Sequence, residues 1–482
     1  MAAPKHLCIP LLSLLALLLA YWFRHVEKDT LQDRLDTVLS SLLQAEQKVG
    51  LDAERPPRIA IGFGGCLDII VDGVALMQEA SIEPSYNPIH HNFIETETQL
   101  AESFAYFFPP GAASERYVSN DTLFGKLVNA SKRLSEMRSA LGGNAPVMAN
   151  RLAAEGCDVL LGGRLSTEEM SVLSERITVA GEPITDADIH LIMEYPTGAK
   201  WGNHVSRRAN RYIVHSDSHN PMIDSLEDFK SQLEVFEPDL VVIGGLQMMD
   251  SFPFKSGQRE ARLQALQEML LSVDQERGCH FEMASFVEQD LMRDLLQYVI
   301  PYSDSLGMNE QELPNLLSLI KGGNITVLSD PYPRVASILD QMRELYELLR
   351  FKEPQRGQRQ LTRLHVHTLA FQAMMVTKGS MWKNTMSATA KASLTANRHV
   401  CGSARIDTRK AKLIMDDSFS VSREVGSRKI AFQESRPVSC WEEETEEETY
   451  EICLAPVLVC TEVFQTAGGG DNISAAGLVL QI

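Results

Sequence analysis

The stretch Thr466 to Leu478 reads TAGGGDNISAAGL. Gly468, Gly469 and Gly470 run into Asp471, and small and apolar residues follow at helical spacing. Glycines at a strand-to-helix turn let backbone N–H groups converge on an anion, and the helix N-terminus adds positive potential. A carboxylate there repels a bare anion unless a proton acceptor is needed. The pairing suits phosphoryl transfer: the amides of Gly468 to Gly470 form an anion hole, and Asp471 acts as general base toward an attacking hydroxyl. The plainer alternative is a tight turn or glycine cap with Asp471 capping the next helix.

Two further constellations supply carboxylates. In CHFEMAS (279–285), strand alternation puts His280 and Glu282 on one face. In SLGMNEQEL (305–313), Asn309 and Glu312 fall three apart on a first helical turn. Alone, each is ordinary, since a first-turn glutamate is a common helix-dipole partner. Together with Asp471, Glu282 and Glu312 suit Mg²⁺ held largely through its waters and a substrate phosphate. Upstream, IGFGGCLDIIVDG (61–73) carries Asp68, and SALGGNAPVMAN (139–150) carries Gly142, Gly143 and Asn144. Paired acceptors and amides at strand ends are what recognition of sugar hydroxyls requires. Either motif alone also fits a turn.

These residues need elements to position them. Short β-branched runs recur from Arg58 onward: RIAIGFGG, CDVLLGG, DIHLIMEY, RYIVHS, DLVVIGGL and PVLVCTEV. Amphipathic segments at 257–273 and 334–350 lie among them. That alternation predicts an α/β protein whose parallel sheet is covered on both faces. Residues 73–140 and 180–220 break it and are expected to form most of a smaller inserted lid. Seven glutamates in the eleven residues Trp441 to Glu451 predict a solvated hairpin tip returning through Pro456-Val-Leu-Val. The last helix opens about a dozen residues before Ile482, so little is expected to cover the sheet there.

The net charge of −19 excludes nucleic acid as a partner, because phosphate backbones demand basic surface. Leu7 to Phe23 is almost uninterruptedly apolar, between Lys5 and Arg24. Residues 1–24 are therefore expected to be a cleaved signal or an uncleaved membrane anchor. Either addresses the chain to the secretory pathway, as a lumenal or anchored protein of the endoplasmic reticulum or a secreted one. Residues 25–57 read as a polar helix and a Pro56-Pro57 break, a stalk, and 58–482 as the functional domain. Eight cysteines in 482 residues are no disulfide scaffold, and without CxxC spacing no zinc site is announced. Four sequons, at Asn120, Asn129, Asn324 and Asn472, are close to chance; a glycan on Asn472 would obstruct the glycine turn.

The ordered set IGFGGCLDII, GAASERY, GGNAPVMA, HLIMEY, ANRYIVHSD, GLQMM, HFEMAS, GMNEQEL, RLHVHTL, CGSARIDT and TAGGGDNISAAGL resembles the ADP-dependent glucokinase family, in its animal, signal-bearing branch, over roughly residues 55–482. The resemblance implies a ribokinase-like fold, a three-layer α/β/α large domain with a lid. It also implies transfer of the β-phosphoryl group of ADP to the 6-hydroxyl of glucose with Mg²⁺, yielding AMP, by a protein expected to be monomeric. Carried across, Asp471 is the base, Gly468 to Gly470 the anion hole, and Glu282, Glu312 and Asp471 stand at the metal. Asp68, Glu115, Gly142, Gly143 and Asn144 fall where the family binds sugar. Arg211, Asn309 and His367 fall to the nucleotide, with His365 and His367 on one strand face near the adenine edge. Two departures stand out: Gly64-Gly65 replaces an Asn-Ala pair, removing one sugar contact, and Asn472 replaces a small residue beside the base. Cys401 and Cys460 precede segments that should border the nucleotide. They are either a disulfide or two buried free thiols. The rival readings are an ATP-dependent ribokinase-type sugar or nucleoside kinase, and a catalytically silent sugar- or nucleotide-binding protein. Intact Glu282, Glu312 and Asp471 argue against the silent one.

Overall fold

Along the strand Arg58–Gly62, Ile59 and Ile61 are buried against one helical layer and Ala60 against the other. A strand buried on both faces belongs in the middle of a parallel sheet. A computed structural model describes residues 30–50, 54–326, 328, 330, 332–350, 355–445 and 448–482. The apolar run 7–23, expected as a signal or anchor, lies outside them. Among the described residues no helix is long and apolar enough to cross a membrane.

The large sheet has ten strands. In spatial order they are Ser439–Glu444, Thr449–Pro456, Phe371–Thr377, Arg363–His367, Ser305–Asn309, Gly278–Glu282, Leu240–Ile243, Arg58–Gly62, Asp158–Gly162 and Ile177–Ala180. The run from Arg363–His367 to Ile177–Ala180 is parallel, and the other three strands extend it antiparallel. The helices Leu226–Phe236, Gln258–Ser272, Gln289–Tyr298, Glu312–Ile320 and Val335–Leu349 bury one face. The helices Asn144–Ala154, Thr385–Val400 and Gly469–Val479 cover the other. This is the three-layer α/β/α body of a ribokinase-like fold.

The segments at 257–273 and 334–350 fold as the expected helices. Three local expectations are corrected. The strand before the glycine turn is Thr449–Pro456; Val459–Cys460 leaves the sheet and pairs with Ala411–Lys412. The last helix is not left uncovered: it is buried from Asn472 to Val479 between Asn144–Ala154 and Thr385–Val400. The polar helix read as a stalk is helical over 30–46 but docked, with Leu35, Val38, Leu42 and Ala45 buried against Ala390, Leu394, Val438 and Leu458. Glu46 closes that contact with both guanidinium nitrogens of Arg398, at 2.8 and 3.0 Å.

A second, six-stranded sheet runs Phe93–Ile94, Ser114–Val118, Asn210–His215, Ile189–Tyr195, Cys66–Asp72, Arg138–Gly142. The helices Gly73–Glu79, Glu97–Phe107 and Asp121–Ser131 pack on one face, taking Ile69, Val71, Leu191, Met193, Tyr212 and Val214. Strand alternation then turns Cys66, Asp68, Glu115, His190, Glu194, Arg211 and His215 to the opposite face. Two disulfides, Cys401–Cys460 and Cys440–Cys453, tie the C-terminal quarter. The pair left open between bridge and free thiols is thus a bridge.

Candidate active site

The helix Gly469–Val479 starts after Gly468, whose φ of 68° lies in the left-handed region that favours glycine. Its first turn carries Asp471. Asn144, the first residue of the helix Asn144–Ala154, donates Nδ2–H to Asp471 Oδ1 at 2.8 Å. Gln247 donates Nε2–H to Asn144 Oδ1 at 2.7 Å, which fixes the orientation of that carboxamide. Burial pushes the Asp471 carboxyl up to about 7, and the charge of Glu282 adds to it; the Asn144 bond and the charges of His367 and Arg211 oppose. A carboxyl poised near neutrality is matched to accepting a proton.

Glu282 ends the strand Gly278–Glu282 and is buried. It accepts from His280 Nε2 at 3.0 Å and from Ser474 Oγ at 2.8 Å, with His367 Nε2 at 3.6 Å. Burial alone would raise its pKa, but the donors on His280 and His367 outweigh that and hold it at about 2. The His280 contact has a defined polarity. Arg363, fully buried and carrying only donors, gives Nη1–H to Ser305 Oγ at 2.9 Å. The Ser305 hydroxyl proton then goes to His280 Nδ1, 2.8 Å away. Burial keeps His280 neutral, so its one ring proton sits on Nε2, directed at Glu282.

Glu312 opens the helix Glu312–Ile320. Its two oxygens accept from the Asn309 backbone N–H at 2.9 Å and from Asn309 Nδ2 at 2.7 Å. Asn309 therefore ends the strand rather than sharing the first helical turn, and its Oδ1 accepts the Gln311 and Glu312 N–H groups ahead of the helix. Burial raises Glu312 to about 7, with Glu282 and Glu310 adding repulsion. Glu282 and Glu312, both buried, and the half-buried Asp471 thus converge at one end of the sheet, with the charge of Glu282 penalising ionisation of the other two, a donor set suited to a divalent cation. Among the described residues, no three carboxylate, His or Cys ligand atoms at this end of the sheet crowd within 4.8 Å, so a cation held partly through water fits better than an all-protein cage. His367, expected at the adenine edge, stands against these carboxylates, and its ring lies 3.0 Å from where a Cβ on Gly470 would sit.

Opposite lies the open face of the second sheet. Register sets Asp68 beside His190, His190 beside His215, and Arg211 beside Glu194. Gly142 and Gly143 pack so closely here that a Cβ would strike the Asp68 carboxylate and the Gly64 carbonyl, respectively. Burial raises Asp68 to about 6. Glu115 Oε1 is 3.4 Å from His190 Nδ1, while His190 Nε2 bonds both oxygens of Asp217 at 3.1 and 2.9 Å. Burial opposes the imidazolium, yet Asp217 lifts His190 to about 10. Asn220 donates to Asp217 at 2.6 Å and accepts the Gly65 N–H at 3.0 Å, so the Gly64-Gly65 departure is built into this chain. Arg211 has a buried Nε–H without a protein partner, and its charge is felt at Asp471. Glu194 accepts from the Thr466 N–H at 2.8 Å and its hydroxyl at 3.0 Å, joining this sheet to the glycine turn. Beside the turn, Arg151, His399, Gly402 and Gln465 line a 440 Å³ cavity, and Arg151 holds Asn472 Oδ1 at 3.0 Å.

Of the expected site residues, contacts join Asn144 to Asp471, His367 to Glu282, Asn309 to Glu312, and Asp68 to Gly142, while Glu115 stands against His190; His190, His215, Asp217, Glu194 and Gln247 join these groups unforeseen. The HLIMEY and RYIVHSD runs carry His190 and Asp217 at strand ends; only the antiparallel pairing of 189–195 with 210–215 shows that they meet.

A glycine-turn aspartate at a helix N-terminus, on a ribokinase-like α/β/α body facing a second sheet, defines a kinase. Residues 57–480 match the model of the ADP-specific phosphofructokinase/glucokinase conserved region, and the chain belongs to that family. It is 33% identical over 435 residues to the ADP-dependent glucokinase of Bos taurus, covering 88% of this chain and 84% of that one. It is 27% identical over 486 residues to a probable ADP-dependent glucokinase of Caenorhabditis elegans, covering 97% and 94%. Among solved structures, an ADP-dependent kinase complex with fructose-6-phosphate and ADPβS aligns with a TM-score of 0.62 at 17% identity, covering 93% of this chain and 97% of the other. A hypothetical ADP-dependent phosphofructokinase from Pyrococcus horikoshii OT3 aligns with a TM-score of 0.58 at 17% identity, covering 88% and 97%.

Proposed function

We propose that this chain phosphorylates the 6-hydroxyl of D-glucose with ADP, releasing glucose 6-phosphate and AMP. The observation that carries it is Asp471, half-buried and poised near neutrality at the glycine turn, with a sheet lined by hydroxyl acceptors opposite. Asp471 accepts the proton of the attacking hydroxyl, and the backbone N–H groups of Gly468 to Gly470 receive the transferred phosphoryl group. Asp68 and Glu115 accept from sugar hydroxyls, His190 donates, and Gly142 to Asn144 supply backbone and carboxamide contacts. Arg211 offers its unpartnered Nε–H to a nucleotide phosphate. Glu282 and Glu312 would hold Mg²⁺, which when bound offsets phosphate charge.

The sugar side is acidic: Asp68, Glu115, Glu194 and Asp217 outnumber the cationic His190 and Arg211 there. That favours a neutral sugar over a sugar phosphate, hence glucose over fructose 6-phosphate. The relatives named for ADP-dependent glucokinase support the same choice. The test is a glucose 6-phosphate assay of the full chain offered ADP or ATP separately. Product with ADP alone is expected. Turnover with ATP alone would establish the ATP-dependent kinase instead.

We also place the protein in the secretory pathway. Two disulfides support an oxidising compartment. Alkaline extraction of membranes should retain an anchored form and release a cleaved one; a reduced cytosolic chain would sink both.

A further inference from the structure

The lid face holds more coordinating chemistry than a sugar needs. Cys66 and Asp68 sit two apart on one strand, with the thiol 3.4 Å from Asp68 Oδ1. His190 is on the adjacent strand, and the ligand atoms of these three residues lie within 4.8 Å of one another. Glu115, from a third strand, places Oε1 at 3.4 Å from His190 Nδ1. Ligands arranged tetrahedrally at Zn–S about 2.3 Å and Zn–N or Zn–O about 2.0 Å stand roughly 3.3–3.5 Å apart. Both measured separations match that spacing.

The other ring nitrogen completes the pattern. His190 Nε2 is committed to Asp217, whose side chain is fully buried and held in turn by His215 and Asn220. A histidine that ligates a metal through one nitrogen characteristically gives its other N–H to a carboxylate. We infer that Cys66, Asp68 and His190 Nδ1 form a zinc site, with Glu115 the nearest further carboxylate and Asp217 orienting the imidazole, and that Zn²⁺ and sugar exclude each other there. The mutual exclusion rests on the sugar reading above; the metal site does not. A thiolate and an imidazole select a borderline-soft cation, so this site is chemically distinct from the carboxylate set proposed for Mg²⁺. Binding displaces the proton of the Cys66 thiol and that of His190 Nδ1 to solvent. The ligands come from two strands more than a hundred residues apart in the chain, so no sequence spacing announces them.

Co²⁺ added to the full chain, without Mg²⁺ or nucleotide, should give a thiolate-to-cobalt charge-transfer band that stoichiometric Zn²⁺ abolishes. Cys66→Ala should remove the band and weaken Zn²⁺ binding, measured against a competing chelator, by more than about 10–100-fold, while Asp217→Asn weakens it within that range. With chelator present, Cys66→Ala should keep wild-type turnover. Absence of the band from the wild-type protein, or its persistence in Cys66→Ala, overturns the metal site. A band that survives saturating glucose leaves the metal site standing and overturns the exclusion, and with it the placement of the sugar.

Discussion

At the scale of single residues, Asp471 accepts a hydrogen bond from Asn144, and the function proposed above gives it the proton-accepting task. Asp471→Asn keeps the hydrogen bonding and size but removes the base. It should lower kcat by about 10²–10⁴, roughly 3–5 kcal/mol of barrier, with KM values nearly unchanged. Wild-type turnover would return Asp471 to the role of a helix cap. Glu282→Gln and Glu312→Gln should each raise the Mg²⁺ concentration for half activity without unfolding the chain. Ser305→Ala tests the relay from Arg363: ¹⁵N shifts of His280 should move from the Nε2–H form toward a tautomer mixture. The His190–Asp217 pair gives stability a definite pH shape. His190 is raised, so its contribution is full below about 6.5 and falls as pH climbs toward about 10. Asp217 is depressed, so its contribution is present above about 3.9 and is lost as pH falls further. Melting temperature should therefore decline on the alkaline side less steeply in His190→Gln than in wild type.

The element scale shows what was legible and what was not. Glycine turns, strand ends and capping glutamates are local, so the segments bearing Asp471, Glu282 and Glu312 could be read from short windows. The His190–Asp217 pair and the zinc ligands could not, because register between distant strands makes them neighbours. The helix over 30–46 lies between these cases. Its Leu35, Val38, Leu42 and Ala45 recur at helical spacing, the mark of a docked face, among enough charge to read as a stalk. Cys440 and Cys453 flank the acidic hairpin symmetrically, a signal that became readable only with the pairing Cys440↔Cys453. Leu42 is fully buried, so Leu42→Ala should cost about 2–5 kcal/mol in chemical unfolding. Truncation before residue 50 should likewise lower the melting temperature. An unshifted midpoint in both would mean the helix merely rests on the domain.

At the scale of the whole molecule, the chain crosses between the two sheets four times, at Gly64-Gly65, at Gly143, between Ala180 and Ile189, and near Asn220. Glu194 with Thr466, and the Arg138 guanidinium over the Phe464 ring, tie the second sheet to the segment of the glycine turn. The Cys401–Cys460 bridge, of separation 59, should stabilise the fold by about 4 kcal/mol in the chain-entropy model. Reductant should lower the melting temperature, and Cys401→Ser with Cys460→Ser should make that temperature less sensitive to it.

The bridges are nested: Cys440–Cys453 closes a small ring inside the larger ring of Cys401–Cys460. The most exposed apolar residue of the large ring, Val425, lies on a turn flanked by exposed Arg423, Arg428 and Lys429. Trypsin should cut there first. The severed polypeptide would nevertheless remain one covalent object, its catalytic helix still fastened to the rest through sulfur. Such a nicked enzyme should keep its activity and migrate as a single band on a denaturing gel, dividing in two only when thiol is added.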